Sequence, residues 1–311
     1  MTRLVAVTGA SGFVGPHLVR ALAARGWRLR LLIRRWSPLP SLAGVDAEIV
    51  FGDLDSDAAL RALTNGVDAV VHAAGLIKAR RAADFDRVNR DGTARLLAAA
   101  GSTRVLLLSS LAAREPQLSP YAASKKAAEE AVARHSGPWL AVRAPAVYGP
   151  GDRETLAYFK AVACGLAPEP RVAGARLSLI HVVDLAHALA LCLEHDIPSS
   201  TYEIDDGHDG GYGYGDMAGA AAAALDRKCS PITVPRGVMA GIAGFNHLRQ
   251  ALGGRAEILT AGKVREMFHP DWVSHDRRLA VATGFTARYD LIGGFADTVG
   301  WYRRHGWLSG L

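Results

Sequence analysis

The stretch Thr8-Gly9-Ala10-Ser11-Gly12-Phe13-Val14-Gly15 constrains this 311-residue chain more than any other, because of what flanks it. An apolar run at 3–8 precedes it, and a segment of helical periodicity at 13–24 overlaps and follows it. Glycines at 9, 12 and 15 permit a tight turn, close approach of a phosphate, and close packing of helix on strand. A helix opening on such a turn presents unpaired N–H groups and the positive end of its dipole to an anion. Gly9, Ser11, Gly12, Phe13, Val14 and Gly15 are therefore candidate contacts for the pyrophosphate of a dinucleotide. The glycine spacing alone is a weak signal; its place between strand and helix makes it specific. Pro16 removes an N–H in the first helical turn, where that donor lacks an intrahelical partner anyway.

The same alternation continues. Short β-rich runs at 28–33, 47–51, 69–72, 105–109 and 140–143 read as further strands, with helices at 84–100 and 119–135. Strands that are apolar throughout are buried on both faces, which implies a parallel sheet with helices on either side. Right-handed crossovers then give an α/β fold with a doubly wound Rossmann sheet. After Pro145 the rhythm becomes irregular, with Pro and Gly crowding 149–151, 165–174 and 207–215. Strands are expected at 177–183 and 201–204, a helix at 184–193, and a mainly helical final third. The expected plan is a dinucleotide-binding domain over 1–150, to which 178–205 returns. A smaller α/β substrate-binding cap would be built mainly from 151–177 and 206–311.

Charge distribution narrows the ligand. The formal net charge is +6, and residues 1–45 hold seven arginines and no Asp or Glu. A basic excess confined to one segment suits a discrete phosphate better than a long polyanion. Nucleic acid is not an expected partner. NAD users commonly place a carboxylate about twenty residues beyond the loop, at the end of the second strand, to hold the ribose 2′-hydroxyl. Here that place holds Arg34 and Arg35, whose guanidinium groups suit a 2′-phosphate, so NADP(H) is favoured over NAD(H). No apolar run approaches the length needed to cross a bilayer. Cys164, Cys192 and Cys229 have no metal-ligand spacing and read as reduced thiols of a cytoplasmic protein.

Tyr121-Ala122-Ala123-Ser124-Lys125 carries the candidate chemistry. A four-residue spacing sets phenol and ammonium on one helix face, a turn apart. The positive charge favours phenolate, which makes Tyr121 an acid or base for a carbonyl–alcohol interconversion. Lys125 can also hold the nicotinamide ribose. A hydroxyl at the end of the fifth strand, Ser109 or Ser110, could hydrogen-bond the same carbonyl oxygen.

Taken in order, these motifs resemble the extended short-chain dehydrogenase/reductase family. The further landmarks are Gly52-Asp53-Leu54, His72-Ala73-Ala74-Gly75, Leu108-Ser109-Ser110, Arg143-Ala144-Pro145-Ala146-Val147-Tyr148-Gly149-Pro150, Ser178-Leu179-Ile180-His181-Val182 and Asp184-Leu185. The resemblance implies that Asp53 and Leu54 lie at the adenine, and Ala73, Ala74 and Gly75 along the middle of the cofactor. Pro145, Ala146 and Val147 would lie at the carboxamide. It favours Ser110 over Ser109 as the catalytic hydroxyl and gives Asn89, Thr93, His181 and Asp184 structural roles. It also implies a possible homodimer through the Tyr121 helix.

Departures from the family pattern matter as much. The dehydratases of this family carry an Asp-Glu pair after the catalytic hydroxyl, whereas Ser110 is followed by Leu111-Ala112-Ala113. The asparagine that many epimerases place near residues 143–145 is also missing. The paired arginines instead resemble the dihydroflavonol-reductase and 3β-hydroxysteroid-dehydrogenase-like branches. The resulting expectation is an NADP(H)-dependent oxidoreductase acting on a secondary alcohol, or the matching ketone or aldehyde, of a small and apolar substrate. A sugar-nucleotide epimerase with transient hydride transfer is the competing enzymatic reading. A non-enzymatic dinucleotide sensor or assembly subunit is the competing reading of another class. The apolar stretch 238–245 is open between core packing and a substrate-facing surface.

Overall fold

β1 (Leu4–Thr8) is buried along its whole length, as expected for a strand covered on both faces. In the computed structural model, which describes residues 3–36, 44–251 and 259–308, the chain divides into two compact units. The first comprises Met1–Ala144, Leu185–Ile204 and Asp276–Phe285; the second comprises Pro145–Asp184, Asp205–His275 and Thr286–Leu311.

From β1 the chain runs through α1 (Gly15–Ala23), β2 (Arg28–Ile33), β3 (Glu48–Phe51), α2 (Asp57–Thr64), β4 (Ala69–His72) and α3 (Ala82–Phe85). It continues through α4 (Gly92–Ala100), β5 (Arg104–Ser110), α5 (Pro120–Val132) and β6 (Trp139–Ala144). Then come β7 (Ala146–Tyr148), α6 (Leu156–Ala163), β8 (Leu166–Pro170), β9 (Arg176–Leu177), β10 (Leu179–His181), α7 (Val182–Cys192) and β11 (Ser200–Glu203). The remaining elements are α8 (Tyr214–Leu225), β12 (Ser230–Val234), α9 (Arg236–Ala251), α10 (Ala261–Met267), β13 (Asp271–Trp272), α11 (Arg278–Thr283) and α12 (Leu291–Arg304).

The main sheet has seven strands in the order β11-β6-β5-β4-β1-β2-β3, and every pairing is parallel. Strand order reverses between β1 and β4, so the loops after these strands flank the crevice where ligands of such sheets bind. Leu4, Ala6, Leu32, Leu60, Val70, Leu96 and Val105 form one buried layer of the first unit. In the second unit Tyr148, Phe159, Phe295 and Tyr302 anchor a separate core through edge-to-face contacts.

Three local expectations change. The single helix expected at 84–100 is α3, a π-helical stretch Asp86–Asp91, and α4. The wider turn accompanies the burial of Asn89, whose side chain is fully engaged with neighbouring groups. The strand expected at 177–183 breaks at Ser178, because its hydroxyl bonds to Asp205 and accepts the Ser274 N–H. The sequence reading did not include α2, although Ser56 caps it by accepting from the Ala59 N–H at 3.3 Å.

Candidate active site

The glycine loop leaves β1 at Thr8 and is built from backbone-to-backbone contact. Gly9 has φ +78°, and a Cβ there would lie 2.6 Å from the Ala73 carbonyl carbon and the Ala74 nitrogen. At Gly15 a Cβ would come within 2.3 Å of the Gly9 oxygen, so no side chain is tolerated at either position. The Gly12 N–H closes the turn on the Gly9 oxygen at 3.0 Å. Gly12 itself is exposed, and Ser11, Phe13 and Val14 are half-buried beside it. The turn is thus shaped so that backbone rather than side chains faces a ligand.

His72 ties this loop to the next. Thr93 Oγ1 donates to the Asn89 carbonyl at 2.5 Å, so it accepts from His72 Nε2–H at 3.0 Å. His72 Nδ1 then accepts from Thr8 Oγ1 at 2.7 Å, while Thr8 Oγ1 accepts the Ala74 N–H at 3.2 Å. Burial, aided by the Lys125 charge, pushes His72 down to about 3, so this neutral tautomer persists at ordinary pH. The network aligns Thr8 with Ala73, Ala74 and Gly75.

At the ends of β2 and β3, Arg34 and Arg35 are exposed, and the Arg35 guanidinium lies 5.7 Å from the Phe51 ring centroid. Asp53 accepts the Asp55 N–H, which shapes the turn after β3. Leu54 is buried against the positions of Gly92 and Leu96, so only its backbone is available to a ligand.

Lys125 is buried on α5, and its Nζ donates to the Leu108 carbonyl of β5 at 2.6 Å. A Cβ on Gly75 would approach that Nζ to 3.9 Å, which brings the β4 loop and the α5 lysine together. Asn89 fixes this arrangement by donating to Ser124 Oγ at 2.9 Å and to the Leu76 carbonyl, while accepting the Leu76 N–H. Tyr121 is half-buried one turn before Lys125, with Phe85 edge-on to its ring at 6.0 Å. Ser119 caps α5 by accepting from the Ala122 N–H, so the helix begins just before Tyr121.

The two candidate serines differ in what they touch. Ser109 is buried and donates to Glu129 Oε1 at 2.6 Å. Ser110 is half-buried and accepts the Ala112 N–H at 3.2 Å, which leaves its own O–H free to donate elsewhere. Glu129 lies one turn beyond Lys125 on α5 and accepts Arg143 Nε and Nη2 at 2.8 and 2.7 Å. Burial pushes the Lys125 ammonium down to about 8, opposed by the Glu129 carboxylate. Sequence reasoning missed Glu129; its four-residue spacing from Lys125 was the available signal.

Pro145, Ala146 and Val147 belong to the second unit, where β7 pairs in parallel with β10. His181 is fully buried there, 3.4 Å from Asp297 and with its ring tilted against that of Tyr289, and Asp184 accepts the Tyr289 N–H at 3.0 Å. Leu111, Ala112 and Ala113 form a buried 3₁₀ turn and offer no acid or base. The stretch 238–245 lies on α9, with Val238, Ile242 and Phe245 exposed and Ala243 buried.

Comparison with known proteins gives the family. Residues 5–205 match the model of the NAD dependent epimerase/dehydratase family. A ceramide reductase of Caulobacter vibrioides is 41% identical over 308 residues, covering 98% of this chain and 96% of that protein. A 4-hydroxy-2-methyl-3-oxo-4-farnesyl-3,4-dihydroquinoline-1-oxide ketoreductase of Stigmatella aurantiaca is 30% identical over 226 residues, covering 65% of this chain and 67% of that protein. Among solved structures, UDP-glucose 4-epimerase from Bifidobacterium longum, in complex with NAD+ and UDP, superposes with a TM-score of 0.73. It is 18% identical, with 97% of this chain and 99% of that chain covered, a likeness of fold. The chain belongs to the NAD-dependent epimerase/dehydratase family, the extended short-chain dehydrogenases/reductases, and is an NAD(P)-dependent oxidoreductase of that type.

Proposed function

We propose that the protein is an NADP(H)-dependent reductase that interconverts a ketone and a secondary alcohol on an apolar, lipid-like substrate. The observation that carries this reading is the division of labour at the β5 end. Ser109 is engaged by Glu129, Ser110 keeps a donatable hydroxyl, and buried Lys125 sits one turn after Tyr121.

The loop of Gly9, Ser11, Gly12, Phe13, Val14 and Gly15 suits a pyrophosphate, since its glycines keep side chains out of the turn. Arg34 and Arg35 would hold the 2′-phosphate, Asp53 and the Leu54 backbone the adenosine, and Ala73, Ala74 and Gly75 the central part. Pro145, Ala146 and Val147 are assigned to the carboxamide side. When bound, the cofactor supplies the hydride that reduces the carbonyl carbon. Ser110 donates a hydrogen bond to the carbonyl oxygen and fixes its direction. Tyr121 gives that oxygen its phenolic proton, and the Lys125 ammonium stabilises the phenolate left behind. In the reverse direction Tyr121 takes the proton from the alcohol. Leu111, Ala112 and Ala113 leave no group to expel water, which favours simple redox chemistry over dehydration.

Similarity to a ceramide reductase over nearly the whole chain, and to a ketoreductase of a farnesyl-bearing quinoline, supports an apolar substrate. The second unit is assigned the substrate-binding role. The test is steady-state oxidation of NADPH in the presence of long-chain ketones, including a 3-keto lipid amide. Stoichiometric loss of nicotinamide absorbance with formation of the alcohol supports the reading. Isomerisation of a sugar nucleotide without absorbance change would instead establish the epimerase.

A further inference from the structure

We propose that α9 is the face by which this protein docks on an anionic phospholipid bilayer. The helix spans sixteen residues of the second unit and packs against α10. Its inward side is marked by Ala243, which is 3% exposed, and by Asn246, whose Nδ2 donates to the Leu259 carbonyl at 3.1 Å. Its outward side carries Val238, Ile242 and Phe245 at 53%, 46% and 61% exposure. These three positions are related as i, i+4 and i+7, so they form one stripe along the helix. An aligned row of large apolar side chains left in water is a feature that ordinary surfaces avoid, whereas a single exposed leucine would mean nothing.

Charge selects the partner. Between Arg227 and Arg249 the sequence carries Arg227, Lys228, Arg236 and Arg249, and no Asp or Glu. Arg227, Lys228, Arg236 and Arg249 are all exposed. Arg249 falls four residues beyond Phe245 and continues the same stripe. An apolar stripe on a segment that carries cations and no anions between residues 227 and 249 is the pattern of a helix lying in the interface of an acidic membrane. No helix among the described residues is long and apolar enough to cross a bilayer, so attachment through α9 would be peripheral and reversible. The choice of bilayer over a second copy of the chain rests in part on the reductase reading above, because a lipid-like ketone resides in a membrane.

The experiment is sedimentation of the intact protein with vesicles, without cofactor or substrate. One set of vesicles is phosphatidylcholine, the other equal parts phosphatidylcholine and phosphatidylglycerol. The protein is expected to sediment with the acidic vesicles and to be released by salt. Phe245→Glu combined with Ile242→Glu should weaken binding at least about tenfold, and Arg236→Gln about fivefold. Thermal unfolding and turnover of a short, water-soluble ketone should stay at the parent level in these surface variants. Failure of the parent protein to bind acidic vesicles overturns the proposal, as does binding that the α9 variants leave unchanged. Loss of turnover on the soluble ketone in those variants overturns it too, because α9 would then line the substrate site. Conversion of a dimer to a monomer with vesicle binding retained assigns the stripe to self-association. Vesicle binding is read without catalysis, so a protein that binds lipid yet reduces no ketone refutes only the reductase reading.

Discussion

Arg143 and Glu129 form a two-pronged ion pair, Nε and Nη2 to the two carboxylate oxygens at 2.8 and 2.7 Å, one helical turn beyond Lys125. Glu129 also accepts from Ser109, so a single carboxylate ties α5 to both β5 and β6. On its other side Arg143 faces Glu203 at 3.9 Å, and Arg114 faces the same Glu203 at 3.6 Å. Helix α5 is therefore held to the sheet by a chain of alternating charges, all within the first unit.

Glu129→Gln is expected to destabilise the protein by about 2 kcal/mol, because the half-buried Arg143 guanidinium loses its main counter-charge while keeping part of its desolvation cost. Urea denaturation measures this. Replacing both partners, with Glu129→Leu and Arg143→Leu together, should cost less than the sum of the two single changes. Equal additivity would mean that the pair is not energetically coupled.

Ser109 and Ser110 should separate cleanly. Ser110→Ala is expected to lower kcat by about a hundredfold with little change in melting temperature. Ser109→Ala should cost about 2 kcal/mol of stability through loss of the bond to Glu129 and leave kcat within a small factor of the parent. Tyr121→Phe should reduce kcat by about a thousandfold while cofactor affinity, measured by fluorescence titration, is retained. A catalytically silent Tyr121→Phe would remove the proposed mechanism.

These contrasts also mark what the sequence could and could not disclose. β1, β4 and β5 were legible because burial on both faces demands apolar runs, whereas β2 and β3 carry Arg28, Arg30 and Glu48 and β3 is largely exposed. The glycine loop was legible because close backbone approaches at Gly9 and Gly15 leave no room for a side chain. Neighbouring residues on a strand point to opposite faces, so only one of Ser109 and Ser110 can meet α5. Which one depends on Glu129, twenty residues away on a helix that the strand pattern does not orient. The π-helical turn at Asp86–Asp91 was illegible for a related reason. It accompanies the tertiary partners of Asn89 on Leu76 and Ser124, and local propensity is silent about both. For the stretch 238–245 the sequence left core packing and a substrate-facing surface open, and Val238, Ile242 and Phe245 lie exposed on α9.

Cofactor choice tests the end of β2. Changing Arg34 and Arg35 together to Ala is expected to raise the Kd for NADPH by about tenfold to a hundredfold, the worth of one or two charge-assisted contacts to a phosphate. Affinity for NADH should change by less than about twofold, since neither guanidinium has a phosphate to meet there. Isothermal titration with both nucleotides measures the ratio. A parent protein that binds NADH as tightly as NADPH would contradict the assignment of these arginines.

The pH dependence follows from Lys125. Burial lowers its ammonium to about 8, against the carboxylate of Glu129, which favours the charged form. In the proposed mechanism reduction needs Lys125 charged and Tyr121 protonated, so kcat/KM for the ketone should fall as pH rises through about 8. Linkage runs the other way for stability. The native state gives up this proton near 8, whereas an unfolded lysine holds it to about 10.4. Between those values the unfolded chain binds more protons, so this group's contribution to stability rises with pH across the window in which activity is lost. An alkaline fall in activity without a fall in melting temperature is therefore the expected signature. Glu129→Gln removes the charge that favours the ammonium and should move the activity limb to lower pH; a limb that stays in place would show that Lys125 does not set it.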